Sequence, residues 1–402
     1  MKYVIILGDG MADRPIESLG GKTPLEYAKT PVLDMLSEKS EIGLVHTIPE
    51  GMKPGSDTAN LSVLGYDPKQ YYSGRSPLEA LSIGVDMKDT DVAIRTNIVT
   101  LTEDEGLSFE EQTILDHSSG EISTEDCAIL LKAVREELEN ESYRFYVGTS
   151  YRHCLIWDKG QVQDLFPPHD HLGEVIGAYL PKDEALKGMM KRSYEILKNH
   201  PLNLERKKQG LNPANCLWFW GAGTKPLLSP FEEKTGLKGV MISAVDLLKG
   251  IAIGASMKVI PVEGANGGLH TNYRGKAMAA VKALRDEGYD FAYIHVEAPD
   301  EMGHQGSVEK KVESIEHLDK EVIGVVYEEL SRSGQDFRMA VLPDHPTPIA
   351  VRTHTSEAVP YLIYDSTDRL SHSYHYNERE AEETGVYLEK GPMLMDRLLK
   401  RI

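Results

Sequence analysis

The chain has 402 residues, of which 41% are hydrophobic and 27% charged, values typical of a folded globular protein with two or three domains. Its 44 Lys and Arg residues are outnumbered by 63 Asp and Glu residues, which gives a formal net charge of −19. That balance excludes a broad basic surface, so we expect no binding to nucleic acid or to an anionic membrane. A small anionic substrate is still compatible with it, because one pocket can gather a few Arg and Lys residues.

The cysteines and the N-terminus indicate a cellular compartment. Cys127, Cys154 and Cys216 are far apart and form no C-x-x-C pair, which favours a reducing environment and predicts neither a disulfide framework nor a thiolate zinc site. The apolar run at 3–7 is too short for a signal peptide, and no run of 18 apolar residues occurs. We therefore expect a soluble protein of the cytoplasm.

The first predicted elements are a strand and a helix start. Residues 3–7 form an apolar run that leads into Gly8-Asp9-Gly10, and Pro54-Gly55 precedes Ser56 at the start of a predicted helix. Ser56 is an N-cap in the simplest interpretation. In the alternative, the helix N-terminus binds a phosphate, and a bound metal favours the Ser56 alkoxide as a nucleophile.

The middle of the chain differs from both ends. From about 71 to 211 it is acidic and rich in turns, with helices predicted from Ser123 or Thr124 to about 140 and at about 182–199. It contains no apolar strand followed by an aspartate. We therefore predict a smaller α+β domain at 71–211, inserted into a first domain formed by 1–70 and 212–402.

Two more apolar strands are predicted in the last third of the chain. Residues 291–296 precede Asp300, and residues 338–342 precede Asp344. Apolar runs of this length are typical of parallel strands covered on both faces, and helices predicted at about 275–287 and 307–332 alternate with them. This pattern predicts an α/β fold, in which ligands bind at the carboxyl ends of the strands.

Histidines and aspartates cluster at these strand ends. Asp300 and His304 are four residues apart, so one helical turn places both side chains on the same face. Asp344 and His345 are adjacent, and His354 follows nine residues later. For the Asp300 and His304 motif there is a simpler alternative, in which Asp300 caps a helix and His304 is a surface residue.

Oxygen and nitrogen ligands without thiolates favour Mn²⁺, Mg²⁺ or Zn²⁺. The aspartates and histidines at the strand ends are more ligands than one ion needs. They favour two ions about 4 Å apart, an arrangement used in phosphoryl chemistry.

Several motifs together resemble one known family. They are Gly8-Asp9-Gly10-Met11-Ala12-Asp13, Pro54-Gly55-Ser56-Asp57-Thr58-Ala59-Asn60, Asp300-x-x-x-His304, Asp344-His345-Pro346-Thr347-Pro348 and Arg352-Thr353-His354-Thr355. In combination they are similar to the archaeal-type, cofactor-independent phosphoglycerate mutases of the alkaline phosphatase superfamily. The resemblance extends over the whole chain. It implies an alkaline-phosphatase-like α/β fold, with a mixed, mostly parallel sheet flanked by helices and an inserted domain that binds the substrate.

The resemblance also implies a set of metal ligands and a nucleophile. One Mn²⁺-like ion would be held by Asp300, His304 and His354, with Zn²⁺ or Mg²⁺ as alternatives. A second ion would be held by Asp9, Asp344, His345 and the Ser56 hydroxyl. Ser56 would carry the phosphoryl group as phosphoserine.

Cationic residues are the candidates for substrate contacts. Arg152 and His153 match the family's motif and would hold the carboxylate or phosphate of the substrate. Arg95 and Arg206 are further candidates, and Lys249 would meet the phosphoryl group during transfer. For each of these residues, a solvated surface role is the alternative.

The implied function is the interconversion of 3-phosphoglycerate and 2-phosphoglycerate without 2,3-bisphosphoglycerate. The substrate would be a small phosphorylated carboxylic acid. Two alternatives stay open. One is a metal-dependent phosphotransferase or phosphatase that acts on another small metabolite, for example a homoserine-kinase-like enzyme. The other is a non-catalytic metal-binding protein.

Overall fold

The computed structural model describes residues 1–402 and divides into two compact units. The first unit combines Met1–Tyr72 with Leu228–Ile402, and the second is Ser73–Leu227. The second unit thus interrupts the sequence of the first. It ends at 227 and not at the predicted 211, because a strand that follows residue 211 pairs with the sheet of the second unit.

The strands are numbered in chain order: β1 Lys2–Gly8, β2 Ser40–Val45, β3 Asp91–Leu101, β4 Ile114–Asp116, β5 Tyr143–Thr149, β6 Arg152–Asp158, β7 Cys216–Thr224, β8 Gly239–Ile242, β9 Lys258–Val259, β10 Phe291–Val296, β11 Phe337–Leu342, β12 Val359–Asp365 and β13 Tyr387–Leu388.

The α-helices are α1 Pro24–Tyr27, α2 Pro31–Ser37, α3 Ser56–Val63, α4 Pro68–Tyr71, α5 Arg75–Ser82, α6 Thr124–Leu138, α7 Glu184–Leu197, α8 Pro201–Lys208, α9 Phe231–Thr235, α10 Asp246–Gly254, α11 Tyr273–Asp286, α12 Ala298–Gln305, α13 Val308–His317, α14 Gly324–Ser333, α15 Glu378–Glu383 and α16 Met393–Leu398. None of these helices combines the length and the apolar character needed to cross a membrane.

The first unit is built on an eight-stranded sheet in the order β13-β2-β12-β11-β1-β10-β8-β9. Only β12 runs antiparallel to its neighbours. The central strands β1, β10 and β11 are those predicted at 3–7, 291–296 and 338–342, and β10 and β11 are buried along their whole length. Helices cover the sheet, so the predicted α/β fold with a mostly parallel sheet is confirmed.

The helix predicted at 307–332 is observed as α13 and α14 joined by a π-helical segment, Leu318–Ile323. This segment places Asp319 against the start of α2. The Asp319 carboxylate accepts hydrogen bonds from the backbone N–H groups of Val32, at 3.1 Å, and Leu33, at 2.7 Å. The carboxylate thereby satisfies two of the N–H groups that a helix N-terminus leaves without a partner.

The second unit contains a five-stranded antiparallel sheet and is an α+β unit. The order is β4-β3-β6-β5, and β7 also pairs with β3, from Val92 to Val99. Helices α6 and α7, predicted at about 124–140 and 182–199, pack on one face over a core that includes Phe145 and Trp218. The apolar stretch of β7 therefore belongs to this unit's core, which explains the later boundary.

Candidate active site

Three neighbouring parallel strands bring the predicted metal ligands of the first unit together. In register, Leu7 of β1 pairs with both His295 of β10 and Leu342 of β11, so the three strands end at the same edge of the sheet. Asp9 follows β1, α12 with Asp300 follows β10, and Asp344 follows β11. All three aspartates are buried.

Asp300, His304 and His354 form the first cluster. The Asp300 carboxylate lies 3.2 Å from His304 Nε2 and 3.3 Å from His354 Nε2, and the two histidine nitrogens are 3.0 Å apart. His304 Nδ1 lies 3.0 Å from the carbonyl oxygen of Arg352 and must donate to it. The Nε2 lone pair of His304 therefore points into the cluster, as a metal ligand requires.

Asp9, Asp344, His345 and Ser56 form the second cluster. Ser56 Oγ lies 3.3 Å from Asp9 Oδ2 and 3.1 Å from His345 Nε2. His345 Nε2 is also 3.4 Å from Asp344 Oδ2 and 3.6 Å from Asp9 Oδ1. These oxygen atoms thus lie around His345 Nε2, which is itself beside the serine hydroxyl.

The electrostatics of these clusters fit divalent cations. Asp9 Oδ1 is buried and has no hydrogen-bond partner. Burial, followed by repulsion from Asp344 and Asp300, raises the pKa of Asp9 well above its ordinary value. Buried carboxylates that repel one another need compensating positive charge, and the ligand atoms of Asp9, Asp300 and His345 lie within 4.8 Å of one another. A divalent ion supplies that charge and a partner for the free oxygen.

Ser56 is not the N-cap of its helix, as the simplest interpretation of the sequence predicted. The N-cap of α3 is Gly55, and Ser56 is the first helical residue. The Ser56 hydroxyl therefore contacts Asp9 and His345 instead of capping its own helix. Its position at the helix N-terminus adds the positive end of the helix dipole to the site.

Gly10 allows the loop after β1 to approach the other two loops. Its φ of +60° lies in the left-handed region, and a Cβ there would lie 2.5 Å from Thr347 Oγ1 and 2.6 Å from Asp300 Oδ1. The backbone N–H of Gly10 donates to Asp344 Oδ1 at 3.1 Å. No larger residue would allow the three aspartates to approach as closely.

Several residues that support the site were not identified from the sequence. Asn60, one turn after Ser56 on α3, donates from Nδ2 to Asp344 Oδ2 at 3.0 Å and accepts from the Tyr293 hydroxyl. Thr347 donates to Asp300, and His295 contacts Asp9. The spacing from Ser56 to Asn60 was the available signal for Asn60. Tyr293 and His295 are part of an apolar strand, where nothing in the sequence distinguishes them from core residues.

The predicted cationic residues are divided between the two units. Lys249 lies on α10 of the first unit, with Nζ 3.1 Å from Asp246 Oδ1. Arg95 and Arg152 lie on adjacent strands of the second unit. Arg95 is held by Glu79 at 3.0 Å and stacks 4.0 Å from the centre of the Trp220 ring, whereas Arg152 is exposed.

His153 and Arg206 are both buried, so neither has the solvated surface role that was the alternative for them. Their surroundings differ. His153 is buried, burial lowers its pKa to about 4, and its Nε2 has no hydrogen-bond partner. Arg206 is buried and bonds to Asp126 and to the backbone oxygens of Ser119 and Asn212. The guanidinium of Arg206 thus joins elements within the second unit, and its predicted contact with the substrate stays a prediction.

Comparison with known proteins identifies the family. A family model described as 2,3-bisphosphoglycerate-independent phosphoglycerate mutase matches residues 37–203. The enzyme of that name from Methanosarcina barkeri is 45% identical, with 100% of both chains covered. The chain belongs to the 2,3-bisphosphoglycerate-independent phosphoglycerate mutase family.

Further relatives extend the likeness to bacteria and to solved structures. A probable 2,3-bisphosphoglycerate-independent phosphoglycerate mutase from Geobacter sulfurreducens is 44% identical, again with 100% of both chains covered. A solved structure of a Pyrococcus horikoshii protein is 32% identical, covers 100% of this chain and 98% of its own, and has a TM-score of 0.82. The cofactor-independent phosphoglycerate mutase from Thermoplasma acidophilum is 27% identical over 100% of both chains, with a TM-score of 0.69.

A buried polar network supports the loops that carry the ligands in this family member. Lys311 Nζ lies 2.8 Å from Asp13 Oδ2 and donates to the carbonyl oxygen of Thr347 at 2.9 Å, joining the loops after β1 and β11. The Glu378 carboxylate accepts from the Asp13 backbone N–H at 2.9 Å and from the Thr23 hydroxyl at 2.6 Å. Burial raises the pKa of Glu378 to about 7.

The raised pKa of Glu378 predicts a pH dependence of stability. An unfolded glutamate titrates near 4.3, so the folded chain retains one more proton between about pH 4.5 and 7. The free energy of unfolding therefore falls as pH rises through that window. We expect Glu378→Gln to lack this contribution, so that its stability relative to the wild type increases by up to about 3 kcal/mol from pH 4.5 to 7.5.

Urea unfolding followed by circular dichroism at several pH values measures the difference. Glu382→Gln, an exposed position on the same helix, is the matched control and should follow the wild-type profile. If the free energy of unfolding of Glu378→Gln followed pH in parallel with that of the wild type, the raised pKa of Glu378 would be contradicted.

The clusters also predict stabilisation by divalent ions. We expect Mn²⁺ at 100 times its Kd to stabilise the folded chain by about 2.7 kcal/mol per site, visible as a rise in Tm. Asp300→Asn should greatly reduce this rise, because it removes the charge shared by His304 and His354. Glu301→Gln, the exposed neighbour on α12, should keep it. An equal rise in both variants would exclude Asp300 from the metal site.

Proposed function

We propose that this protein interconverts 3-phosphoglycerate and 2-phosphoglycerate, without 2,3-bisphosphoglycerate, by phosphoryl transfer through Ser56. The observation that carries the proposal is the position of Ser56 Oγ, 3.1 Å from His345 Nε2 and 3.3 Å from Asp9 Oδ2 at the edge of a ligand cluster. The choice of substrate is supported by the membership of the protein in a family of phosphoglycerate mutases.

The residues of the two clusters would hold two divalent ions. Asp300, His304 and His354 would hold one, and Asp9, Asp344, His345 and Ser56 Oγ would hold the other. Mn²⁺ is favoured, with Zn²⁺ or Mg²⁺ as alternatives, because the ligands are oxygens and imidazole nitrogens. When bound, such ions lower the pKa of a coordinated hydroxyl and offset negative charge on phosphoryl oxygens.

Ser56 is the proposed nucleophile of the first half-reaction and the leaving group of the second. Its Oγ attacks phosphorus in line, and the new Oγ–P bond forms as the bond from phosphorus to the C3 oxygen of glycerate breaks. The proton that Ser56 loses balances the proton that the departing glycerate hydroxyl gains. In the second half-reaction, the C2 hydroxyl of the retained glycerate attacks the phosphoserine and restores the serine.

The cationic residues are proposed to hold the substrate. Lys249 would exchange its contact with Asp246 for the phosphoryl group and stabilise charge on its oxygens. Arg152, which is exposed, would pair with the carboxylate of the substrate. His153 and the stacked Arg95 would complete that contact from adjacent strands of the second unit. Retention of glycerate matters because water in its place would turn the same chemistry into hydrolysis.

A direct assay separates this proposal from a phosphatase or a phosphotransferase. We expect purified protein with Mn²⁺ and 3-phosphoglycerate to accumulate 2-phosphoglycerate in the absence of 2,3-bisphosphoglycerate, as followed by ³¹P NMR. Excess EDTA should abolish the activity and Mn²⁺ should restore it. Release of inorganic phosphate would favour a phosphatase. No turnover would favour a phosphotransferase with another acceptor.

Replacement of the nucleophile is the second test. We expect Ser56→Ala to lower kcat by at least about a thousandfold, because neither half-reaction can form the phosphoserine. Ser62→Ala is a matched control on the same helix, since the buried Ser62 hydroxyl has no hydrogen-bond partner, and it should retain full activity. Appreciable mutase activity of Ser56→Ala would exclude the serine mechanism.

A further inference from the structure

A chain of hydrogen bonds reaches Asp9 from behind the site. His295, on β10, is fully buried, and its Nε2 lies 3.0 Å from Asp9 Oδ2. On the other side of the ring, Nδ1 lies 3.2 Å from Ser243 Oγ. Ser243 follows β8 and accepts a hydrogen bond from the backbone N–H of Val245 at 3.0 Å. The chain thus runs from the residue before α10, through a serine and an imidazole, to a carboxylate of the site.

The direction of these hydrogen bonds follows from the groups at the two ends. The Val245 N–H can only donate, so Ser243 Oγ accepts there and has its own proton available for His295 Nδ1. With a cation bound, Asp9 is an ionised carboxylate that can only accept, so the Nε2 that faces it carries the proton. One neutral tautomer of His295 satisfies both contacts, and the other would direct a lone pair at Asp9 Oδ2.

The backbone of His295 is held in place as well. The His295 carbonyl oxygen accepts from the buried Lys276 Nζ at 3.0 Å, and His295 pairs with Leu7 in the central sheet. The backbone of His295 is therefore fixed relative to β1, whose end carries Asp9. Rotation of the ring about its side-chain bonds is opposed by its contacts with Asp9 and Ser243.

The two oxygens of Asp9 have different surroundings as a result. Oδ2 accepts from His295 and lies 3.3 Å from Ser56 Oγ, whereas Oδ1 has no hydrogen-bond partner. Hydrogen bonds to Oδ2 alone orient the carboxylate, and Oδ1, 3.6 Å from His345 Nε2, can meet a cation. Such an arrangement also keeps the ligand from rotating away when the ion is absent.

We propose that His295, oriented by Ser243, is a positioning residue that sets the Asp9 carboxylate for its ion. The inference deepens the proposed function, because it rests on Asp9 holding a divalent ion there. The row of hydrogen bonds through His295 and Ser243 also joins Asp9 to the start of α10, the helix that carries Lys249. An alternative, in which His295 itself binds the ion, is compatible with its distance to Asp9 and Asp344 but requires Nε2 without a proton.

The first test measures Mn²⁺ affinity by electron paramagnetic resonance, independently of turnover. We expect His295→Phe, which keeps the ring volume without the donor, to bind one of its two Mn²⁺ ions about 10- to 100-fold less tightly than the wild type. His295→Gln provides an amide N–H near the position of Nε2, and we expect it to recover most of the lost affinity. Melting of each metal-free variant checks that it is folded.

The second test addresses Ser243. Ser243→Ala removes the donor that selects the tautomer, and we expect a weaker Mn²⁺ affinity by about threefold or more. Ser193→Ala is the matched control, since it also removes a buried hydroxyl, one that donates to Met190 and accepts from the Leu217 N–H. It should bind Mn²⁺ as the wild type does.

The possible results separate the inference from its alternatives. Wild-type affinity in His295→Phe would overturn it. A His295→Gln variant that binds as weakly as His295→Phe, with an altered visible spectrum when loaded with Co²⁺, would make His295 a ligand and overturn positioning. A His295→Gln variant with an unchanged Co²⁺ spectrum and a recovered Mn²⁺ affinity would support the positioning role of His295. A wild-type protein that binds Mn²⁺ tightly but shows no mutase activity would refute the proposed function and leave this test intact.

Discussion

The convergence of three buried carboxylates is the constraint on which the rest of the site depends. Asp9, Asp300 and Asp344 reach the same edge of the sheet because the strands before them are parallel neighbours. Burial, followed by repulsion from the other two carboxylates, raises the pKa of Asp9 well above its ordinary value. The site is therefore most stable with positive charge inside it. Histidines supply neutral ligand nitrogens for such charge without adding to the repulsion.

The surrounding structure keeps these charges in place. Gly10 permits the close approach of the loops, and the buried Lys311 joins Asp13 to the loop that carries Thr347. Asn60 and His295 each donate a hydrogen bond to a carboxylate oxygen. Buried donors of this kind are costly to leave without a partner, so they restrict each carboxylate to one orientation. The serine of α3 then lies against a preorganised set of ligand atoms.

Particular residues show how far prediction from sequence reached. The spacing of Asp300 and His304 predicted a shared helical face, and α12 places their side chains 3.2 Å apart. The central strands were predicted within a few residues because continuous apolar runs are a strong signal. The ion pair of the buried Arg206 with Asp126 was not predicted, because a charged residue on a short helix looks exposed until the packing of its neighbours is known. The boundary after residue 211 was misplaced because β7 pairs with β3, more than a hundred residues away in sequence.

The sequence alone determined the fold class, the residue types of the site and the family resemblance. These properties are local: periodicity, strand length and short motifs are properties of adjacent residues. The tertiary structure decided which oxygen of Asp9 is free, that Gly55 and not Ser56 caps α3, and that His295 is a partner of the site. Those outcomes depend on strand order and register, which bring distant residues within hydrogen-bond range and have no signature in a single segment of sequence.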